Sequence, residues 1–207
     1  MKEESLYKYA EVFLREALDC FATFQKAGTK YTGFADVIGL KDVGGRTSGS
    51  FEVIAVEVKT STFSFAKNLG QALGYSLLAH RCYLATYLES YTTEQEQMAS
   101  HLGVGLLRIH EKDCDEVLSS PCHQPINGLM LKMLETAGYA VCNICGTLVA
   151  AEKGWTTDVT EGCKKGRVFY YVKKLPERRV LFSEQTKPTR WVNVCSDCVK
   201  KLRLSDI

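Results

Sequence analysis

Apolar positions along the chain recur in two rhythms, one of three and four residues and one of two. From residue 4 to residue 26 the longer rhythm holds: Leu6, Tyr9, Ala10, Phe13, Ala17, Cys20, Phe21 and Phe24 fall on one face, which predicts a long first helix stopped by Gly28. Tyr31 to Leu40 switches to the strand rhythm, with Asp36 set in an apolar row beside Phe34 and Ile38. Lys41 to Ser50 is rich in Gly and Ser; with no helix after it and no P-loop Lys-Ser/Thr pair, it reads as a hairpin loop rather than a phosphate cradle. Phe51 to Thr60 is dominated by β-branched and aromatic residues, and Val53 to Val58 is apolar on both faces apart from Glu57, as in a strand covered on both sides.

Further along, Phe63 to His80 predicts a helix with Leu69, Leu73 and Leu77 on one stripe and Lys67, Gln71 and Tyr75 on another. Cys82 to Leu88 reads as a strand, Thr92 to Leu102 as a helix capped by Thr92 or Thr93, and Val104 to Ile109 as a strand. One more short strand is expected near the first hairpin. Asp113 to Pro125 reads as a connector, and Ile126 to Ala137 as a helix that packs Leu129, Met130, Met133 and Leu134 inward and stops at Gly138. The order of elements predicts an α/β domain over residues 1–125, a mixed sheet flanked by helices, then a connecting helix at 126–138 and a second, small domain at 139–207.

Composition fits that division. The chain has 207 residues, 45% of them hydrophobic, enough for one medium core and a small module. Met-Lys-Glu-Glu leads directly into a charged amphipathic pattern unlike a signal peptide, and no apolar run reaches membrane-spanning length, so a cytoplasmic protein with no membrane partner is expected. The net charge of +2 hides an asymmetry: residues 1–138 carry 13 Lys and Arg against 17 Asp and Glu, and residues 139–207 carry 13 against 7. A basic C-terminal part suits a nucleic-acid backbone, and equally a solvated face.

Four of the nine cysteines form two Cys-x-x-Cys pairs, Cys142 with Cys145 and Cys195 with Cys198. In a reducing compartment such pairs bind metal rather than form disulfides, and Gly146 permits the tight turn that aims backbone amides at the thiolates. The segment resembles a four-cysteine zinc ribbon or treble clef, with strands expected at Val168–Lys173 and Arg179–Phe182. A short segment of weak core gains from such a staple, since structural zinc supplies roughly 10–16 kcal/mol of apparent binding free energy. Arg178, Arg179, Lys187 and Arg190 are its candidate phosphate contacts, with Trp191 or Tyr170 available to stack on bases; a structural cap or a protein-docking module is the alternative. Cys163 is left without a role, and Cys114, Cys122 and His123 lack a fourth partner at ligand spacing.

Candidate chemistry in the larger domain starts from Glu57 and Lys59, two residues apart and therefore on one face at the end of a buried strand, where an ion pair needs matching partners. With Gly33-Phe-Ala-Asp36 before them and Gln71-Ala-Leu-Gly-Tyr75 after, they form an ordered set of three motifs. Over roughly residues 5 to 110 this set resembles the PD-(D/E)XK nuclease superfamily, in the branch with a Gln-x-x-x-Tyr motif that includes RecB-type nuclease domains.

That resemblance implies a restriction-endonuclease-like fold and a magnesium-dependent deoxyribonuclease. In it Asp36, Glu57 and the Val58 carbonyl bind Mg2+ or Mn2+, Lys59 orients water and balances charge, and Gln71 and Tyr75 position the phosphate or a metal-bound water. Lys67 is a candidate backbone contact. The resemblance also implies that the first helix can lend an acidic residue, for which Glu11 and Glu16 are available. Some relatives hold an iron–sulfur cluster through one cysteine before the core and three after it; Cys20 is the candidate for the first, but two clean pairs do not match a three-cysteine tail. The reading that competes with the enzyme is a catalytically inactive nuclease fold that binds DNA or protein; an RNA-processing enzyme is a further one.

Overall fold

The computed structural model describes residues 2–44, 50–62, 64–142, 145–150, 169–172 and 192–195. Two units compose the chain, Met1–Val43 with Phe51–Ala137, and Gly44–Ser50 with Gly138–Ile207. The first unit is a mixed α/β structure built on a six-stranded sheet. After a 3-10 turn at Glu3–Leu6 come α1 (Tyr7–Glu16), β1 (Cys20–Thr29), β2 (Gly33–Asp42), β3 (Phe51–Lys59), α2 (Phe65–Gly74) with a 3-10 turn at Tyr75–Leu77, β4 (Arg81–Tyr87), α3 (Thr93–Leu102), β5 (Gly105–His110), β6 (Asp113–Leu118) and α4 (Asn127–Thr136).

The sheet runs β1-β2-β3-β4-β5-β6 in sequence order. β1, β2 and β3 pair antiparallel, β3 with β4 and β4 with β5 pair parallel, and β6 closes the far edge antiparallel to β5. Parallel neighbours need a crossover, which α2 and α3 supply. Because β3 and β4 are covered on both faces, they carry the near-continuous apolar runs seen in the sequence. On one face Leu6, Tyr7, Ala10, Phe13 and Leu14 pack on Val37, Ile54, Val56, Val58, Tyr83, Ala85, Leu107 and Ile109. On the other, Phe65, Leu69 and Ala72 of α2 join Leu84, Leu106, Tyr91, Ala99 and Val104. Glu57 alternates with Val56 and Val58 and therefore faces the α2 side.

Two expectations are corrected. The long first helix does not form: α1 ends at Glu16, Asp19 takes a left-handed φ of 55°, and Cys20–Thr29 is the edge strand β1. Gly28, expected to stop a helix, instead lies where β1 crosses β2 so closely that a Cβ there would stand 1.9 Å from the Gly33 carbonyl oxygen. The connector at 113–125 likewise begins with a strand, β6, in which Cys114 is buried while Asp113 and Glu116 face solvent.

Elsewhere the elements match. Thr92 caps α3 in a reciprocal box, its Oγ1 accepting from the Gln95 amide at 3.3 Å while its own amide donates to Gln95 Oε1 at 3.0 Å. The helix after β3 is shorter than expected; it tightens to 3-10 at Tyr75, which leaves Leu77 exposed. Met130, Met133 and Leu134 are buried as expected while Leu129 is half-buried, and α4, read from the sequence as a connecting helix, belongs to the first unit.

In the second unit, β7 (Tyr139–Val141) pairs with β8 (Leu148–Ala150), and β9 (Phe169–Val172) with β10 (Val192–Cys195), both antiparallel. β9 falls within the strand expected at 168–173. The strand expected at 179–182 lies outside the described residues, as do Cys163, Cys198, Arg178, Arg179, Lys187, Arg190 and Trp191.

Candidate active site

The motif residues meet where β2 begins and β3 ends. Regular β2–β3 pairing stops at Val37 and Val56. Beyond that point the Asp36 side chain takes the place of the ladder, its Oδ2 accepting the Val58 amide at 2.8 Å. Asp36 and Glu57 are 3% and 1% exposed, so neither carboxylate is solvated and each must find its partners in the protein.

Glu57 receives two. Lys59 Nζ lies 2.6 Å from its Oε1, and the Tyr75 hydroxyl donates to its Oε2 at 2.6 Å. Gln71 Nε2, one turn back on α2, donates to the Tyr75 oxygen at 3.4 Å. Burial pushes the Glu57 carboxyl above the ordinary glutamate range, against the pull of Lys59 and Tyr75. The same burial, reinforced by Glu57, raises the Tyr75 phenol, so it remains a hydrogen-bond donor throughout the accessible pH range. Burial lowers the Lys59 ammonium, but Glu57, Asp36 and Glu3 outweigh that effect and its pKa stands above the usual lysine value.

Four oxygens surround the Lys59 ammonium: Glu57 Oε1 at 2.6 Å, the Val58 carbonyl at 3.1 Å, Glu3 Oε1 at 3.3 Å and Asp36 Oδ2 at 3.9 Å. Three of these belong to the residues named from the sequence as cation ligands. Carboxylate and carbonyl oxygens are the donors that suit a hard cation, and this set fits Mg2+ or Mn2+ in kind.

Three residues at this site were not named from the sequence. Tyr7, from α1, donates to Asp36 Oδ1 at 2.7 Å. Lys26, from β1, places Nζ 2.6 Å from the same oxygen and 2.5 Å from the Tyr7 hydroxyl. Burial opposes the Lys26 charge, but its bonds to Asp36 and Tyr7 hold the ammonium above its ordinary pKa. Burial also pushes the Tyr7 phenol up to about 12. Glu3, in the turn before α1, is the acidic residue that the N-terminal segment contributes. Glu11 and Glu16 make no hydrogen bond or ion pair with the cluster; Glu16 lines a groove of about 390 Å³ with Lys8, Val12, Lys112 and Cys114. Lys67 is exposed on α2.

Lys26 stands between Gln25 and Ala27, which pair with Val37 and Ala35, and so lies opposite Asp36. Its φ of 55° is left-handed. For a non-glycine residue that conformation costs on the order of 1–2 kcal/mol. A strand reading for residues 20–29 would have found it, since a hairpin turning at 30–32 puts Lys26 across from Asp36.

Of the remaining metal candidates, Cys20 packs in the core on the α1 side, and burial pushes its thiol up to about 12. Cys122 is exposed, and His123 Nε2 is 2.8 Å from the Gly103 carbonyl. Among the described residues, His110, Asp113 and Asp115 bring ligand atoms within 4.8 Å of one another at the β5–β6 turn, where Asp115 is already engaged by Arg108 at 2.7 Å and His110 at 2.8 Å.

At the first cysteine pair, Cys142 is buried and Cys145 exposed. Gly146 has a φ of 76°; its amide donates to the Cys142 carbonyl at 2.9 Å, and the Cys142 amide to the Thr147 carbonyl at 2.9 Å. The chain thus makes the tight glycine turn expected after Cys145. β7, which leads into Cys142, approaches β10, whose last residue is Cys195.

No family model and no curated protein matches the chain. Among solved structures, a protein of unknown function from Silicibacter pomeroyi is similar over 66% of this chain and 87% of that chain, with 19% identity and a TM-score of 0.47. No helix among the described residues is long and apolar enough to cross a membrane.

Proposed function

We propose that the chain is a metal-dependent nuclease of the restriction-endonuclease-like class, hydrolysing phosphodiester bonds in DNA, with a C-terminal module that binds zinc and aids the grip on nucleic acid. The observation that carries this reading is the convergence of Asp36, Glu57, Lys59 and Tyr75, from β2, β3 and the end of the α2 segment, on one buried cation seat. Two desolvated carboxylates closing on one ammonium are a costly arrangement for structure alone, because apolar residues of similar volume fill a core as well or better.

Asp36, Glu57 and the Val58 carbonyl would hold the Mg2+ or Mn2+. When bound, the cation supplies a lowered pKa for water and charge neutralisation at the phosphate. Tyr75 fixes one oxygen of Glu57, and Tyr7 and the Val58 amide fix Asp36, so the two carboxylates present set directions before substrate arrives. Lys59, beside those oxygens, would present its ammonium to the attacking water and to the charge that develops on the phosphate. Gln71, exposed on α2 beside Tyr75, meets the substrate phosphate.

In the C-terminal module, Cys142, Cys145, Cys195 and Cys198 hold one zinc. The glycine turn after Cys145 and the approach of β7 to β10 support that assignment.

The test is cleavage of linear and covalently closed DNA, each single- and double-stranded, with Mg2+ or Mn2+ and with chelator. Cation-dependent cutting supports the nuclease, and attack on closed circles makes it an endonuclease. A folded, zinc-loaded protein that cuts none of them, and RNA no better, replaces this reading with the inactive binding module.

A further inference from the structure

We propose that Lys26 is a second phosphate-binding cation of the site, held on Asp36 until a divalent cation displaces it toward the substrate; this rests on the nuclease reading above. Three observations converge on it. The ammonium lies on Asp36 Oδ1, whereas Asp36 Oδ2 turns toward the Lys59 seat, so the two lysines occupy opposite oxygens of one carboxylate. The Lys26 side chain is 52% exposed while Asp36 is buried, so this charge stands at the solvent edge of the cluster, with Asp36 and Tyr7 holding it on the inner side. Its backbone adopts a left-handed conformation inside a strand, a strain that persists where surrounding contacts favour the side chain's position, and such strain concentrates at functional sites.

Charge balance gives the reason for a second lysine. Asp36, Glu57 and Glu3 face Lys26 and Lys59, a formal −1 with all five ionised. A divalent cation turns that into +1, the complement of one phosphodiester. Without Lys26 the loaded site would be neutral: its carboxylates would bind the metal more tightly, but nothing would be left over to attract the phosphate. Lys26 therefore trades metal affinity for phosphate affinity. Tyr7, whose hydroxyl accepts from Lys26 and donates to Asp36, keeps Asp36 oriented when the lysine departs.

Opposite signs in two binding measurements test this. Mn2+ is titrated calorimetrically into wild type, Lys26→Met and Lys26→Arg without nucleic acid. A fluorescein-labelled DNA duplex is then titrated by anisotropy with Ca2+ in place of Mg2+. Lys26→Met is expected to bind Mn2+ about three- to tenfold more tightly and the duplex at least about threefold more weakly, with Lys26→Arg near wild type in both. A purely structural lysine would weaken both in the Met variant, and that result overturns the proposal, as does unchanged Mn2+ or DNA affinity. Wild-type protein that takes up no Mn2+ would overturn the nuclease reading itself, and this inference with it.

Discussion

Replacing Tyr75 with Phe removes one oxygen and keeps the ring. Tyr75 is 1% exposed, and its hydroxyl donates to Glu57 Oε2 at 2.6 Å, with the Phe34 carbonyl 3.0 Å away. A hydrogen bond to a charged acceptor contributes about 1.5–3 kcal/mol, and here water cannot replace the lost donor, so Tyr75→Phe should destabilise the first unit by about 2 kcal/mol. At roughly 3 °C per kcal/mol for a unit of this size, Tm falls by about 6 °C. The loss also depends on pH. Tyr75 stabilises the ionised form of Glu57, whose folded pKa is raised by burial. The destabilisation is therefore full above that folded pKa and shrinks as pH falls through it, where a neutral carboxyl needs the phenol less. Urea denaturation of wild type and variant across pH 4 to 8 measures both effects. A loss below about 0.5 kcal/mol, or one that does not change with pH, would refute the account of how Glu57 is held.

The other predictions concern the frame and the second unit. Gly28→Ala should cost at least about 2 kcal/mol, read as a denaturant midpoint shift, because its Cβ would meet the Gly33 carbonyl at 1.9 Å and backbone cannot move aside cheaply. His80 accepts the Val53 amide through Nδ1 at 2.9 Å, and burial lowers its pKa below the ordinary 6.5. Its stabilising contribution is thus full above pH 6.5 and lost as pH falls through the lower folded value, so the stability gap between wild type and His80→Ala should narrow on acidification. Purified protein should carry about one equivalent of zinc by elemental analysis, and Cys142→Ser or Cys198→Ser should lose most of it.

Much of this was legible in the sequence because burial on both faces leaves a strong signal. β3 and β4 must be apolar throughout, so Glu57 stood out against Val56 and Val58. The threonine cap of α3, open between Thr92 and Thr93, and the stripe Met130, Met133 and Leu134 were equally readable, each being a local rule. β1 was not. Cys20, Phe21 and Phe24 continue the spacing of Phe13 and Ala17, and only the left-handed turn at Asp19, carried by no glycine or proline, breaks the helix. The partly exposed edge strand β1 also lacks a clean alternation, since Phe21 is exposed while Ala27 to Thr29 are buried.

Part of the site has no local signature either. Asp36, Glu57, Lys59, Gln71 and Tyr75 were named because they lie in short motifs, and the structure brings them together. Lys26 reaches Asp36 only through β1–β2 pairing, and Tyr7 only through the packing of α1, so neither has a local signature. Glu3 has no helical signature that would set it beside Glu11 and Glu16, because it lies in the 3-10 turn before α1. β6 escaped for another reason: its ladder is supplied by β5, and an edge strand with one buried side chain, Cys114, needs no apolar run.

We propose above all that the Asp36–Glu57–Lys59 seat cuts phosphodiester bonds. The most direct test is the Mg2+-dependent cleavage of linear DNA by wild type and by Lys59→Ala, both confirmed folded by their melting curves. Cutting by wild type that falls at least about a hundredfold in the variant and stops in chelator is the result predicted. Equal cutting by the two proteins, or none by wild type on any DNA, would contradict it.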